Sequence, residues 1–282
     1  MRRTTEFDVT EGTLRHGMPY LAIGSGRPLV FLVWFTPDHA TPTGRMRESL
    51  LRALAPFARD RRVYAVYRAP GMAGGTTMGE IATQHAEALR EEFGEPVDVL
   101  GVSSGGSIAL QLAADHPDVV RRLVTVCSGY RLDEHTRVAQ LRYAEAVAND
   151  RRGLHHSAPM LFRSAWQARA AAALLWLVDP FVRPRDPADT LAFVRAEDRF
   201  DLTGRLADIT APALIVGGDR DSAYSVENFR HTAAGIPGGR VRVYPRVTHL
   251  GAVKDPALVA DVRGFLDGKP VGTAASGSAT HR

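Results

Sequence analysis

Cysteine is almost missing from this chain: Cys127 stands alone in 282 residues. A single thiol excludes an intrachain disulfide and a cysteine-based zinc site. It falls in the apolar run Leu123-Val124-Thr125-Val126-Cys127, where a buried, unreactive thiol is expected. Lysine is nearly as scarce, present only at Lys254 and Lys269, so arginine carries the basic charge. The arginines are interleaved with acids, as in Arg90-Glu91-Glu92 and Arg195-Ala196-Glu197-Asp198-Arg199, and the formal net charge is only +4. There is no basic arm or stripe with interleaved aromatics, which argues against a nucleic-acid partner. Long apolar runs are missing too. The longest, Ala170 to Val178, falls far short of the roughly 20 residues a spanning helix needs. Met1 to Glu6 lacks the apolar core of a signal peptide. A cytoplasmic protein with no membrane partner is expected. No internal repeat is found, and no pattern fixes an oligomeric state.

What is present is an ordinary globular balance, 45% hydrophobic and 23% charged, over a length that can bury a full core. Short apolar runs alternate with helical patterns, the rhythm of βαβ units in an α/β fold with a mostly parallel, doubly wound sheet. The runs are Leu29 to Trp34, Arg62 to Tyr67, Val97 to Val102, Arg122 to Cys127, Ala213 to Val216 and Val241 to Tyr244. An antiparallel edge is expected from Phe7 to Val9 and Tyr20 to Ile23. Thr77-Met78-Gly79-Glu80 opens a helix with Ile81, His85 and Leu89 on one face, and Asp255-Pro256 opens the last helix. Between about Gly129 and Thr210 the rhythm breaks into helical patterns alone: Glu134 to Asn149, Ser164 to Val178 and Pro187 to Val194. The expected organisation is a core over 1–128 and 211–267, an all-helical insertion or cap over 129–210, and a small, polar, disordered tail over 268–282.

The segment Val97 to Leu110 carries the strongest chemical signal. A buried-type strand ends in Gly101-Val102-Ser103-Ser104-Gly105, and a helix-forming apolar run follows at once. A serine on such a strand-to-helix elbow needs residues without a Cβ two positions before and after it, because backbone passes too close there. Gly101 and Gly105 frame Ser103; Val102 and Gly106 would frame Ser104, so the frame selects Ser103.

A serine hydroxyl needs a base to take its proton and a carboxylate to orient that base. In a sheet of this kind such groups gather past the carboxyl ends of strands. Asp219-Arg220-Asp221 follows the strand at Ala213, and Asp221 is preferred, since a turn must return the side chain over the strand end. Asp219 is read as a turn or capping residue, with Asp133 a third choice. Of ten histidines, only His249 lies between the last strand and the last helix. The order Ser103, Asp221, His249 is the serine–acid–histidine order of this hydrolase arrangement.

With Pro28 to Leu32, Arg68-Ala69-Pro70-Gly71, the elbow, Ala211 to Asp221, Thr248-His249 and Asp255 to Leu266 in sequence, the chain resembles the α/β-hydrolase fold superfamily from about Gly12 to Phe265. The resemblance implies an eight-stranded sheet, a cap over the active site, a small-molecule substrate and no cofactor or metal. It also implies an oxyanion hole from the backbone N–H groups of Phe35 and Ser104. One departure stands out: members usually carry His-Gly where this chain has Val33-Trp34, which puts the geometry of that hole in doubt. The expected function is a serine esterase forming an acyl-enzyme on Ser103. C–C bond hydrolysis, cofactor-free haloperoxidase or acyltransferase chemistry, and a non-catalytic receptor on the same fold, stay open alongside it. Trp34, Trp166 and Leu250 are expected at a mostly apolar substrate, and Arg163, Arg169, Arg183 and Arg185 are candidates to meet an anion.

Overall fold

Residues 7–162 and 164–269 are described by the computed structural model. In chain order the strands are β1 Val9–Leu14, β2 Met18–Ile23, β3 Arg27–Leu32, β4 Arg61–Val66, β5 Val97–Val102, β6 Val120–Val126, β7 Ala213–Gly218 and β8 Arg240–Tyr244. The helices are α1 Gly44–Leu54, α2 Met78–Phe93, α3 Ser104–Asp115, α4 Glu134–Ala148, α5 Ala158–Leu161, α6 Ala165–Val178, α7 Pro187–Asp198, α8 Val226–Gly235 and α9 Pro256–Leu266. The strands form one eight-stranded sheet in the order β1-β2-β4-β3-β5-β6-β7-β8. β2 pairs antiparallel with both β1 and β4, and every other pairing is parallel.

Alternation along each strand feeds two cores. On β3, Leu29 and Phe31 point to the face covered by α1 and α9, among Leu50, Leu54, Leu258 and Val262. Val30 and Leu32 point to the opposite face with α2 and α3, among Ile81, Leu89, Ile108 and Leu112. With both faces covered, central strands read as unbroken apolar runs; all six residues of β5 are buried.

Local chemistry sets the helix ends. Thr77 Oγ1 accepts from the Glu80 N–H while Glu80 Oε2 accepts from the Thr77 N–H at 2.7 Å, a capping box, and Gly94 ends α2 at φ 67°. Asp255 accepts from the N–H groups of Ala257 and Leu258 to start α9, with Pro256 in the first turn. Neither α1 nor the single turn α5 was expected from sequence. Thr43 makes no side-chain cap, and only Leu50, Ala53 and Leu54 of α1 are buried, so its apolar stripe is short. β1 begins at Val9, where the expected Phe7 to Val9 strand was to end, and runs on to Leu14, since an edge strand can carry the polar stretch Thr10-Glu11-Gly12-Thr13.

Helices α4 to α7 lie between β6 and β7, and among the described residues of 129–210 an isolated bridge from Arg131 to Asp201 is the one extended pairing. α4 packs on α7 through Tyr143, Phe193 and their neighbours. α6 buries none of its residues. Its small residues Ala168 and Ala172 face His155 and His156 across a crevice, while Trp166, Trp176, Leu177 and the following Phe181 are exposed. Residues 270–282, most of the expected tail, and Met1 to Glu6 lie outside the described residues.

Candidate active site

The elbow takes the form its glycines require. Ser103 sits at φ 53°, ψ −123°, a conformation that strains a residue carrying a Cβ. Its N–H donates to the Val126 carbonyl of β6 and its own carbonyl accepts from Gly106, so the strain is held from both sides. A Cβ on Gly101 would overlap the Gly105 carbonyl oxygen, and one on Gly105 would overlap the carbonyl of Leu32 at the end of β3.

Three side chains from three loops meet there. His249 Nε2 lies 3.1 Å from Ser103 Oγ, and His249 Nδ1 lies 3.0 Å from each Asp221 oxygen. A carboxylate only accepts, so Nδ1 carries the proton and Nε2 is left to accept from the serine hydroxyl. Asp221 Oδ1 also accepts from the N–H groups of Ala223 and Tyr224, at 2.8 and 3.0 Å. Burial pushes the Asp221 carboxyl up; the hydrogen bond and charge of His249, with donors from Cys127 and Tyr224, outweigh it and hold the group below the usual carboxylate range. Asp219 is engaged elsewhere, accepting from the Arg246 N–H, and Asp133 accepts from Ser225 and Asn228.

Cys127 is buried as expected, but its surroundings are not those of a plain core thiol. It ends β6 at φ 53° and hydrogen-bonds Asp221. Cys127, Asp221 and His249 form the one group of possible metal ligands found among the described residues. The donor set suits a metal poorly. Burial first, then the Asp221 charge, pushes the thiol far above its ordinary value, away from the thiolate a metal needs, and the carboxylate already accepts from His249, Ala223, Tyr224 and the thiol itself.

Phe35, expected as one oxyanion donor, lines the same cavity as Ser103. Ser104 is the first residue of α3, where an amide has no intrahelical acceptor. The loop that carries Phe35 is tied down by Arg68, whose guanidinium donates to the Thr36 carbonyl at 3.2 Å and to buried Asp189 at 3.2 Å. Asp189, at the start of α7, also accepts from the Met72 N–H. The Phe35 ring stacks on Phe193 and meets Tyr143 edge-on, both at 5.9 Å, with Arg68 4.3 Å from the Phe193 ring. Thus β3's loop and the inserted helices are locked together beside Ser103.

A second carboxyl, unforeseen from sequence, lies under the elbow. Glu197 of α7 is fully buried and accepts from Ser104 Oγ at 2.9 Å, Ser107 Oγ at 2.9 Å and Gln140 Nε2 at 3.3 Å. Burial raises its pKa against the pull of those donors. In sequence it sits in a charged run, Arg195 to Arg199, that reads as a solvated face.

Ser103 and His249 open onto a cavity of 980 Å³ lined also by Trp34, Phe35, Tyr143 and Leu250. Trp34 and Leu250, two of the residues expected at a substrate, thus line this cavity. Trp166 does not: it is 70% exposed and absent from the cavity wall, because α6 packs through alanines and turns its large side chains outward. The inserted arginines do not meet the cavity either. Arg183 pairs with Asp150 and Asp179, Arg185 lies 3.9 Å from Asp38, and Arg169 lines the separate crevice by His155. Arg163 lies outside the described residues.

Comparison with known proteins gives the same picture. The chain is 27% identical over 195 residues to the pimeloyl-[acyl-carrier protein] methyl ester esterase of Neisseria meningitidis, a match covering 65% of this chain and 61% of that protein. In fold it is similar to a thermophilic esterase from Thermogutta terrifontis, with a TM-score of 0.69 at 20% identity over 93% of this chain and 98% of the other. It is equally similar to a bromoperoxidase from Bacillus anthracis, with a TM-score of 0.68 at 18% identity over 92% and 100% of the two chains. The model of the alpha/beta hydrolase family matches residues 22–262. With that match across nearly the whole sheet, and the elbow where the fold puts it, the chain belongs to the α/β-hydrolase family.

Proposed function

We propose that the chain is a serine carboxylic ester hydrolase. The observation that carries this reading is the unbroken line from Ser103 Oγ through His249 to Asp221, opening on the cavity. The esterase names of the meningococcal and Thermogutta proteins support it.

His249 Nε2 takes the Ser103 proton as Oγ attacks the ester carbonyl carbon. The carbonyl electron pair moves to oxygen, and the N–H groups of Phe35 and Ser104 receive the oxyanion. The imidazolium, steadied by Asp221, then gives its proton to the departing alcohol, leaving an acyl group on Ser103. Water, deprotonated by the same histidine, attacks the acyl carbonyl and releases the acid. Helices α4 to α7 act as a cap, closing the cavity with Tyr143, Met160 and Leu161 and shielding the acyl-enzyme from bulk water.

Fluorophosphonate labelling and p-nitrophenyl butyrate hydrolysis test the proposal together. The wild-type chain should be labelled once and show a burst of nitrophenol, and Ser103→Ala should lose both. Folded wild-type protein that neither labels nor hydrolyses at neutral pH would refute the reading.

A further inference from the structure

The cavity does not stop at the serine. It continues between α1 and α9, where Ser49, Ala53, Val259 and Ala260 form its walls. Both helices run from the carboxyl end of the parallel strands toward the amino end: α1 leaves β3 and delivers the chain to β4, and α9 follows the His249 loop. Along α9 its wall runs from Pro256 to Arg263. Those seven residue steps span roughly 10 Å at about 1.5 Å each.

Its charge is of one sign. The permanently charged side chains on its wall are Arg52, Arg59, Lys254 and Arg263, with no aspartate or glutamate among them. Neighbouring carboxylates are occupied: Asp60 pairs with Arg263 at 3.1 Å, Asp255 caps α9, and Asp267 holds Arg61. Arg52, Arg59 and Lys254 are exposed and have no ion-pair partner among the described residues. Arg52 and Arg59 sit in and just after the C-terminal half of α1, and Arg263 sits in the last turns of α9, so three of the four cations lie toward the end remote from the serine. A cleft with low-dielectric walls and one sign of charge concentrates its field on whatever enters.

We infer that this crevice binds an elongated ester whose far end carries an anion, a carboxylate or a phosphate, placed on Arg52, Arg59 and Arg263 while the ester carbonyl lies at Ser103. The inference rests on the hydrolase reading for the position of the carbonyl, and on the crevice alone for the anion. A guanidinium pair suits both oxyanions, since each arginine can offer two parallel N–H groups. The anion can terminate either the acyl or the alcohol part of the ester.

Matched substrate pairs separate these cases. The acyl arm compares p-nitrophenyl decanoate with the p-nitrophenyl monoester of sebacic acid. The alcohol arm compares decyl butyrate with its ω-carboxylated counterpart. In at least one arm, kcat/KM of the wild-type chain should favour the anionic member by about tenfold or more at low salt, and less at high salt. In Arg52→Gln/Arg59→Gln the ratio should fall to within about twofold of unity; taken within one protein, it cancels any loss of folded enzyme. No preference in either arm, or one that survives the double substitution, overturns the inference. Should only p-nitrophenyl butyrate be cleaved, the inference falls and the hydrolase reading stands. Should no ester be cleaved, the hydrolase reading falls, and calorimetric titration with sebacate decides the crevice alone. Binding weakened by about tenfold in the double variant supports it, and no binding overturns it.

Discussion

Asp221 and Glu197 are both buried carboxyls within reach of the elbow, and their surroundings push them in opposite directions. Asp221 meets an imidazole and backbone N–H groups and is held low; Glu197 meets hydroxyls and an amide and is raised by burial. Asp221→Asn leaves the shape of the site but cannot hold His249 with its proton on Nδ1. We expect kcat to fall about 10⁴-fold with little change in KM for p-nitrophenyl butyrate, as for the wrong tautomer elsewhere. Glu197 gives a stability prediction instead. Because the folded state holds that proton more tightly than the unfolded chain, its contribution is full at low pH and is lost as pH rises from the ordinary carboxylate value through the raised one. An amide loses nothing over that range. Denaturant titrations at pH 5 and pH 8 should therefore show Glu197→Gln gaining on the wild type as pH rises; an equal gap at both would show that the carboxyl is not raised.

At the scale of elements, the strand-to-helix junction depends on space rather than charge. β3, β5 and α3 approach so closely that a methyl on Gly105 collides with the Leu32 carbonyl and comes 2.7 Å from that of Val33. Gly105→Ala should cost about 3 kcal/mol or more, read from the urea midpoint, since backbone cannot yield as a side chain does. Gly79, within α2, is the control. A Cβ there meets Asp115 Oδ2 at 3.5 Å and Thr77 Oγ1 at 3.9 Å, both ordinary van der Waals contacts, so Gly79→Ala should stabilise the protein by up to about 1 kcal/mol. Equal costs at the two positions would contradict this account of the elbow. The inserted helices follow a different logic. α7 contributes Asp189 to Arg68 and Glu197 to Ser104, so one helix braces both the β3 loop and the start of α3.

Across the whole molecule, the two cores make stability sensitive to acid through His85. It is buried between α2 and the sheet, its Nδ1–H donating to the Ile81 carbonyl at 2.8 Å, and burial brings its pKa down to about 4. The unfolded chain takes up that proton near pH 6.5, so the stabilisation is complete above that value and is lost as pH falls toward 4. Between pH 7 and pH 5 this histidine should cost the fold about 2 kcal/mol. His85→Gln should lose that much less stability over the same interval, measured by urea unfolding; parallel losses would show that His85 already binds a proton in the folded state. The crevice runs on the α1–α9 side of the sheet, while on the other side residues of α4 and α7 join the core of α2 and α3.

The strands, the elbow and the candidates Ser103, Asp221 and His249, which the structure brings within hydrogen-bond distance, were legible in the sequence, because each depends on local chemistry repeated at fixed spacing. Apolar runs mark buried strands, small residues mark close backbone, and a family-like order of acid and histidine follows two strand ends. Glu197, Arg68 and Asp189 were not legible. A charged residue looks solvated until another element covers it, and the Arg68–Asp189 and Ser104–Glu197 contacts join residues 121 and 93 positions apart in the chain. Trp166 failed for the converse reason. A large apolar residue near a site suggests a pocket wall, yet α6 turns Ala168 and Ala172 to the crevice and leaves Trp166 exposed. Sequence determined which residues are candidates to react, since reactivity follows residue type and turn geometry. Only the tertiary structure decided which charges are buried beside them and where the cavity runs, since burial and field are properties of surfaces brought together from distant parts of the chain.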